Sequence, residues 1–112
     1  MPFIEVKTTE DLSAVAAELK SALGAAITAI PGKSESWLMV NLAGEQKMYF
    51  QGSDAPCALF SVSIFGTATD DAYDDLTCRL CAIAQQYLQV PPERTYVRYR
   101  EVDHWGYNNF NF

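Results

Sequence analysis

A proline stands second in the chain, after Met1 and ahead of a short apolar run, Phe3-Ile4-Glu5-Val6. Initiator methionine is commonly removed when the next residue is small. Its loss here would leave Pro2 with a free secondary amine at the start of a β-strand. Burial disfavours the charged form of an amine, so such a group can act as a base near neutral pH. The residues alone leave a second reading open, in which Pro2 begins an edge strand where a missing N–H costs nothing. Cys78 and Cys81 form a Cys-x-x-Cys that invites a redox or metal role. Both lie well inside a helical pattern, away from the helix N-terminus that would lower a thiol pKa, and are read as buried structural thiols. A zinc site would need two further ligands, and Cys57 with the single histidine, His104, makes a poor set, so no metal is expected. His104 receives no role.

The elements that would position Pro2 follow from periodicity. Pro2–Val6 is strand-like. Thr9-Glu10-Asp11 supplies a capping hydroxyl and first-turn acids, and Leu12, Ala16, Leu19, Leu23, Ile27 and Ile30 recur at helical spacing up to Pro31-Gly32. Trp37–Leu42 then reads as a strand, with Ala43-Gly44-Glu45 as a turn. The order repeats. Ala58–Phe65 is a strand, Thr69-Asp70-Asp71 a second cap, and Leu76, Leu80, Ile83, Ala84 and Tyr87 a second helical stripe. Val90-Pro91-Pro92-Glu93-Arg94 ends it ahead of a strand at Thr95–Tyr99.

Each β-α-β unit would join two parallel strands through a right-handed crossover. Side by side, the two units predict an α+β, two-layer sandwich: a four-stranded mixed sheet with both helices on one face. The strands look apolar on both faces, with Trp37 and Met39 opposing Leu38 and Val40. The face without helices is therefore expected to be covered by a symmetric homo-oligomer. Asp103–Phe112 is left as an extended peptide that could pair with a neighbour's sheet.

Size and composition bound the rest. A chain of 112 residues, 49% of them hydrophobic, fits one compact domain, residues 1–112, with a real core. The net charge of −6 and the lack of a basic patch argue against nucleic acid and anionic membrane as partners. No signal-peptide pattern and no bilayer-length apolar run are present, so a cytoplasmic protein is expected. Three cysteines, an odd number without a secretion signal, speak against a disulfide framework.

Met1-Pro2-Phe3-Ile4, Gly32-Lys33, Phe50-Gln51-Gly52-Ser53, Pro56-Cys57-Ala58-Leu59, Pro92-Glu93-Arg94-Thr95-Tyr96 and Gly106-Tyr107-Asn108 occur in a fixed order along the whole chain. In that order and spacing the sequence resembles the macrophage migration inhibitory factor family of the tautomerase superfamily. The resemblance implies a homotrimer with active sites at subunit boundaries. It also implies cofactor-free keto–enol interconversion of phenylpyruvate-like 2-oxo acids, with the amine of Pro2 as general base. By position, Lys33 would hold the substrate carboxylate and keep the amine neutral. Phe65 would contact substrate through its backbone N–H, and Tyr96 would enter from a neighbouring subunit. Trp105, Tyr107 and Phe112 would wall the pocket. Arg98 replaces a neutral amide common in the family and could favour a dianionic acid through bidentate pairing, or could be a solvated strand cation. Where the signalling members carry Cys-Ala-Leu-Cys, this chain has Cys57-Ala58-Leu59-Phe60, which speaks against thiol–disulfide activity. Animal members of the family act as cytokines without signal peptides. A cytokine-like, partner-binding protein with vestigial catalysis, released from the cell to meet a receptor, is thus the alternative.

Overall fold

Strict alternation of buried and more exposed residues along Pro2–Thr8 (β1) and Ala58–Phe65 (β3) sets the plane of the sheet. Ile4, Val6, Phe60, Val62 and Ile64 lie on one face and are almost wholly buried, as a strand covered on one side requires. The computed structural model describes residues 1–112. Met39–Ala43 (β2) and Thr95–Val102 (β4) complete a four-stranded sheet in the order β2-β1-β3-β4. β1 pairs parallel with β2, β3 pairs parallel with β4, and the central β1–β3 pair is antiparallel. The helices Ala16–Ala26 (α1) and Asp70–Ile83 (α2) are the two crossovers. Leu19 and Leu23 of α1 meet Leu76 and Leu80 of α2 over the strand residues in one core cluster. The α+β mixed sheet with two helices on one face is therefore as the sequence predicts.

The helix starts differ. Thr69 caps α2, its Oγ1 accepting from the Ala72 N–H at 3.2 Å, with Asp70 and Asp71 in the first turn. The matching cap on α1 fails, and that helix begins only at Ala16. Thr9 is drawn instead to β3, its Oγ1 accepting from the Cys57 N–H at 3.2 Å. Asp11 Oδ1 accepts from the Ser13 N–H at 2.9 Å, a local turn that competes with helix. Trp37, expected in a strand, sits in a 3-10 turn over Glu35–Trp37. That turn approaches α1 so closely that a Cβ on Gly24 would collide with the Glu35 carboxylate.

Three further expectations are corrected. The open face of the sheet is apolar only toward its ends. Its middle row runs Asn41, Glu5, Ser61, Arg98 across the four strands, so that face carries polar groups that water can satisfy. The tail is not one extended peptide: Gly106–Tyr107 (β5) and Phe110–Asn111 (β6) form a hairpin. Asn108 and Asn109 between them have φ of 51° and 70°, which suits the twist of a two-residue hairpin turn. Finally, Cys78 is exposed and Cys81 half-buried, while Cys57 is the buried thiol.

Core and cap should separate by magnitude. Leu76→Ala, at a fully buried position, should cost about 3 kcal/mol, and Thr69→Ala about 1 kcal/mol. Urea unfolding of each variant at one fixed protein concentration measures both.

Candidate active site

The first residue of β1 meets the last residue of β3 at one end of the sheet. Pro2 faces Ile64 in the antiparallel register, and the Phe65 N–H donates to the Met1 carbonyl at 3.1 Å. The Phe65 carbonyl in turn accepts from Lys33 Nζ at 3.0 Å. Lys33 arrives there through a tight turn. Its N–H donates to the Ile30 carbonyl at 3.1 Å around Pro31 and Gly32, and Gly32 has φ of +81°. Proline then glycine with positive φ is the pattern of a type II turn. A Pro-Gly-Lys sequence thus sets an ammonium beside the chain's first residues.

The electrostatic consequence falls on the α-amine. With Met1 in place, that amine is held at about 6 rather than the usual 8.0, chiefly by burial and then by the hydrogen bond and positive charge of Lys33. An ordinary chain end is a cation at neutral pH. This one is mostly a free base.

Around it opens a cleft of about 880 Å³ to which Met1, Pro2 and Phe3 contribute. Trp37, Met39, Trp105 and Tyr107 form apolar walls, and Arg100 supplies a charge. The Trp37 and Tyr107 rings meet edge to face, 5.2 Å apart at 88°, a favoured aromatic geometry. Through this contact the tail hairpin closes one side of the cleft.

Among the residues singled out in the sequence, the cleft takes in Pro2, Trp105 and Tyr107. Lys33 and Phe65 do not line the cleft; they form the hydrogen-bonded chain that reaches it through Met1. Phe112 lies behind them, its ring 6.1 Å from that of Phe65. Tyr96 and Arg98 are not brought to the site within one protomer. Tyr96 is six residues from Val102 along β4, roughly 20 Å at strand spacing, and 62% exposed. Its ring packs edge-on against Phe50 at 4.8 Å beside a separate hollow of about 140 Å³. Arg94 holds that loop by donating to the carbonyls of Phe50, Ser53, Ala55 and Pro56. Arg98 lies between, with Nη2 donating to Ser61 Oγ at 3.0 Å.

Sequence reasoning missed Arg100, Trp37 and Met39. Period two along β4 could have found Arg100, since it shares a face with Tyr96 and Arg98. Nothing in the sequence signalled the turn that swings Trp37 into the cleft wall.

A family model described as "Macrophage migration inhibitory factor (MIF)" matches residues 1–110. The chain belongs to the macrophage migration inhibitory factor family. It is 32% identical to the macrophage migration inhibitory factor of Meriones unguiculatus, covering 100% of this chain and 99% of that protein. Its fold is similar to the crystal structure of Leishmania major MIF2, with TM-score 0.92 and 31% identity over 100% of this chain and 97% of that one. The factor from Toxoplasma gondii is also similar, with TM-score 0.86 and 26% identity over 98% and 99% of the two chains. The β2-β1-β3-β4 sheet with two helices on one face is the architecture shared with these family structures.

The amine offers a direct check. In protein that retains Met1 it should titrate near pH 6, and Lys33→Met should raise that value by removing a hydrogen bond and a charge while burial remains. Since the unfolded amine has its ordinary value of 8.0, the unfolded chain binds more protons between pH 6 and 8. The contribution of this group to stability therefore rises with pH across that window and is lost as pH falls through 6. The pH dependence of N-terminal acylation, read by peptide mass, follows the titration.

Proposed function

We propose that the chain, once Met1 is removed, is a cofactor-free keto–enol tautomerase acting on 2-oxo acids of the phenylpyruvate type. One observation carries this reading: an α-amine kept neutral by burial and Lys33 opens onto an aromatic-walled cleft. Loss of Met1 transfers the free amine to Pro2, which is itself buried in that cleft. Pro2 would then take a proton from the carbon next to the keto group and, as the protonated amine, return it to the enolate oxygen to give the enol. In the reverse direction the same nitrogen returns the proton to carbon. Lys33 would attract the substrate carboxylate and stabilise the developing enolate charge. Trp105 and Tyr107 would hold the ring, and Phe112 would fix the position of Phe65.

A homotrimer belongs to this reading. Tyr96 and Arg98 are out of reach of Pro2 in their own protomer, and Tyr96 is exposed. A neighbouring subunit laid along the sheet edge would supply Tyr96 to a shared boundary site. The protein would then work in the cytoplasm on a small-molecule acid, without nucleic acid or membrane as partner. Family membership and the half-exposed Trp37 and Tyr107 at the cleft favour a second reading, in which the cleft docks a receptor outside the cell and catalysis is vestigial.

The two separate by enzymology. Wild type should speed phenylpyruvate ketonisation, and Pro2→Gly should lower kcat/KM by roughly 100-fold, the scale of a lost acid–base group. Equal rates in the two proteins would remove Pro2 as the base. Intact-mass measurement of the wild type should give the sequence mass less one methionine. A retained Met1 makes the Pro2 nitrogen an amide and excludes the mechanism.

A further inference from the structure

The cations on the open face of the sheet have no part in the reading above. Arg98 and Arg100 stand two residues apart on β4 and share the face turned away from the helices. Their neighbours on β3 are Ser61 and Ser63, which carry no charge. Glu5, the acid of that face, is engaged toward β2: its Oε2 accepts from Asn41 Nδ2 at 3.1 Å and its Oε1 lies 3.9 Å from Lys7 Nζ. Glu101 is held on the helix side, where the Tyr73 hydroxyl donates to its carboxylate at 2.6 Å. Arg100 thus belongs to none of the chain's ion pairs. Yet it lines the same cleft as Pro2. A smaller hollow of about 160 Å³ shares Phe3, Ser63 and Arg100 with the cleft and runs on to Arg98, with Glu5 also on its lining but not within ion-pair reach of either arginine. Two guanidinium groups this close on one strand repel, and an anion set against them removes the conflict.

Resting on Pro2 as the base, we propose that Arg100 receives a second, distal carboxylate, so that the preferred substrates are 2-oxo acids carrying another anionic group beyond the reacting carbons. The placement of charge sets the length. Lys33 is bound to the Phe65 backbone at the end of β3. Arg100 stands in the row Met39, Phe3, Ser63, Arg100, two strands across from β1. Strand spacing separates its Cα from β1 by roughly 10 Å, which suits an aromatic or extended diacid better than a compact one. A planar guanidinium with no competing partner takes a carboxylate through two parallel hydrogen bonds. Arg98 continues the positive strip but is already committed to Ser61, which makes Arg100 the residue that sets specificity.

A matched pair of acids tests this: phenylpyruvate and 4-carboxyphenylpyruvate, which differ only in the distal carboxylate. Wild type should favour the carboxylated acid in kcat/KM by about tenfold, the scale of one charge-assisted pair. Arg100→Gln should bring that ratio close to one, Arg100→Glu should invert it, and Arg100→Lys should keep part of it. Binding of both acids, read from quenching of Trp37 and Trp105 fluorescence, should follow the same order and does not need turnover. The order seen in binding without any turnover would support the Arg100 assignment while removing Pro2 as the base. Turnover of both acids by wild type with no preference would overturn the assignment and leave the tautomerase reading standing. An equal loss on both acids in Arg100→Gln would also overturn it, because Arg100 would then serve what the two acids share.

Discussion

The backbone of Phe65 is the joint on which the candidate site depends. Its N–H holds the Met1 carbonyl and its carbonyl holds the Lys33 ammonium. While Met1 is in place, the backbone of this one residue sets the distance between the chain's amine and the cation that helps keep it neutral; once Met1 is removed, the Lys33 bond and the β1–β3 register remain to place Pro2. Neither end of this bridge involves the Phe65 side chain. The position tolerates different side chains as far as the hydrogen bonds go, whereas the register of β1 against β3 cannot shift. A slip of one residue would turn Pro2 to the open face and break the link to Lys33.

What fixes that register is the buried face. Ile4 and Val6 on β1, with Phe60, Val62 and Ile64 on β3, are 0 to 2% exposed beneath the two helices. Moving them to the open face would put their apolar surface into water, at about 25 cal/mol for each Å² exposed. The Ile30–Lys33 turn is anchored to the same core, since Ile27 and Ile30 are fully buried at the end of α1. The hydrophobic pattern therefore positions the amine and the lysine together, although neither belongs to the core.

That dependence explains which parts of the fold were legible in the sequence. β1, β3 and α2 are set by local signals that agree with the tertiary structure: strict alternation in the strands, and a Thr69 cap with two acids at the helix. Around Thr9 a long-range bond to Cys57 outcompetes the local cap, and no local pattern reports a partner 48 residues away. The open face was misread because Phe3, Met39, Leu59 and Tyr96 lie in the outer rows of that face, on either side of a polar row made of Asn41, Glu5, Ser61 and Arg98. Only the cross-strand register shows where the rows fall. For the site, Pro2 stood out by residue type and position, and Lys33, Trp105 and Tyr107 through the family likeness. Arg100 needed the sheet, because its importance comes from what lies across from it.

The distribution of cations gives the acidic chain a direction. Lys7, Lys20 and Arg79 are each within ion-pair reach of a carboxylate, and the Arg94 guanidinium is occupied by carbonyl oxygens. Such groups contribute little to the field beyond their partners. Lys33, Lys47, Arg98 and Arg100 belong to none of the ion pairs; Lys47 lies apart, whereas Lys33 stands beside the amine and Arg98 and Arg100 line the cleft or the hollow that adjoins it. On a surface of net charge −6, an anion is repelled over most of the molecule and attracted where uncompensated positive charge meets low-dielectric aromatic walls. The same arrangement has a cost inside the site. Every cation that draws in an acid also lowers the pKa of the amine that must accept a proton, and so weakens it as a base. Lys33 beside the amine, with Arg100 two strands away, divides these tasks. The near charge adds to burial in keeping the amine neutral, and the distant one can bind a carboxylate with less penalty to basicity, since Coulomb coupling falls with separation.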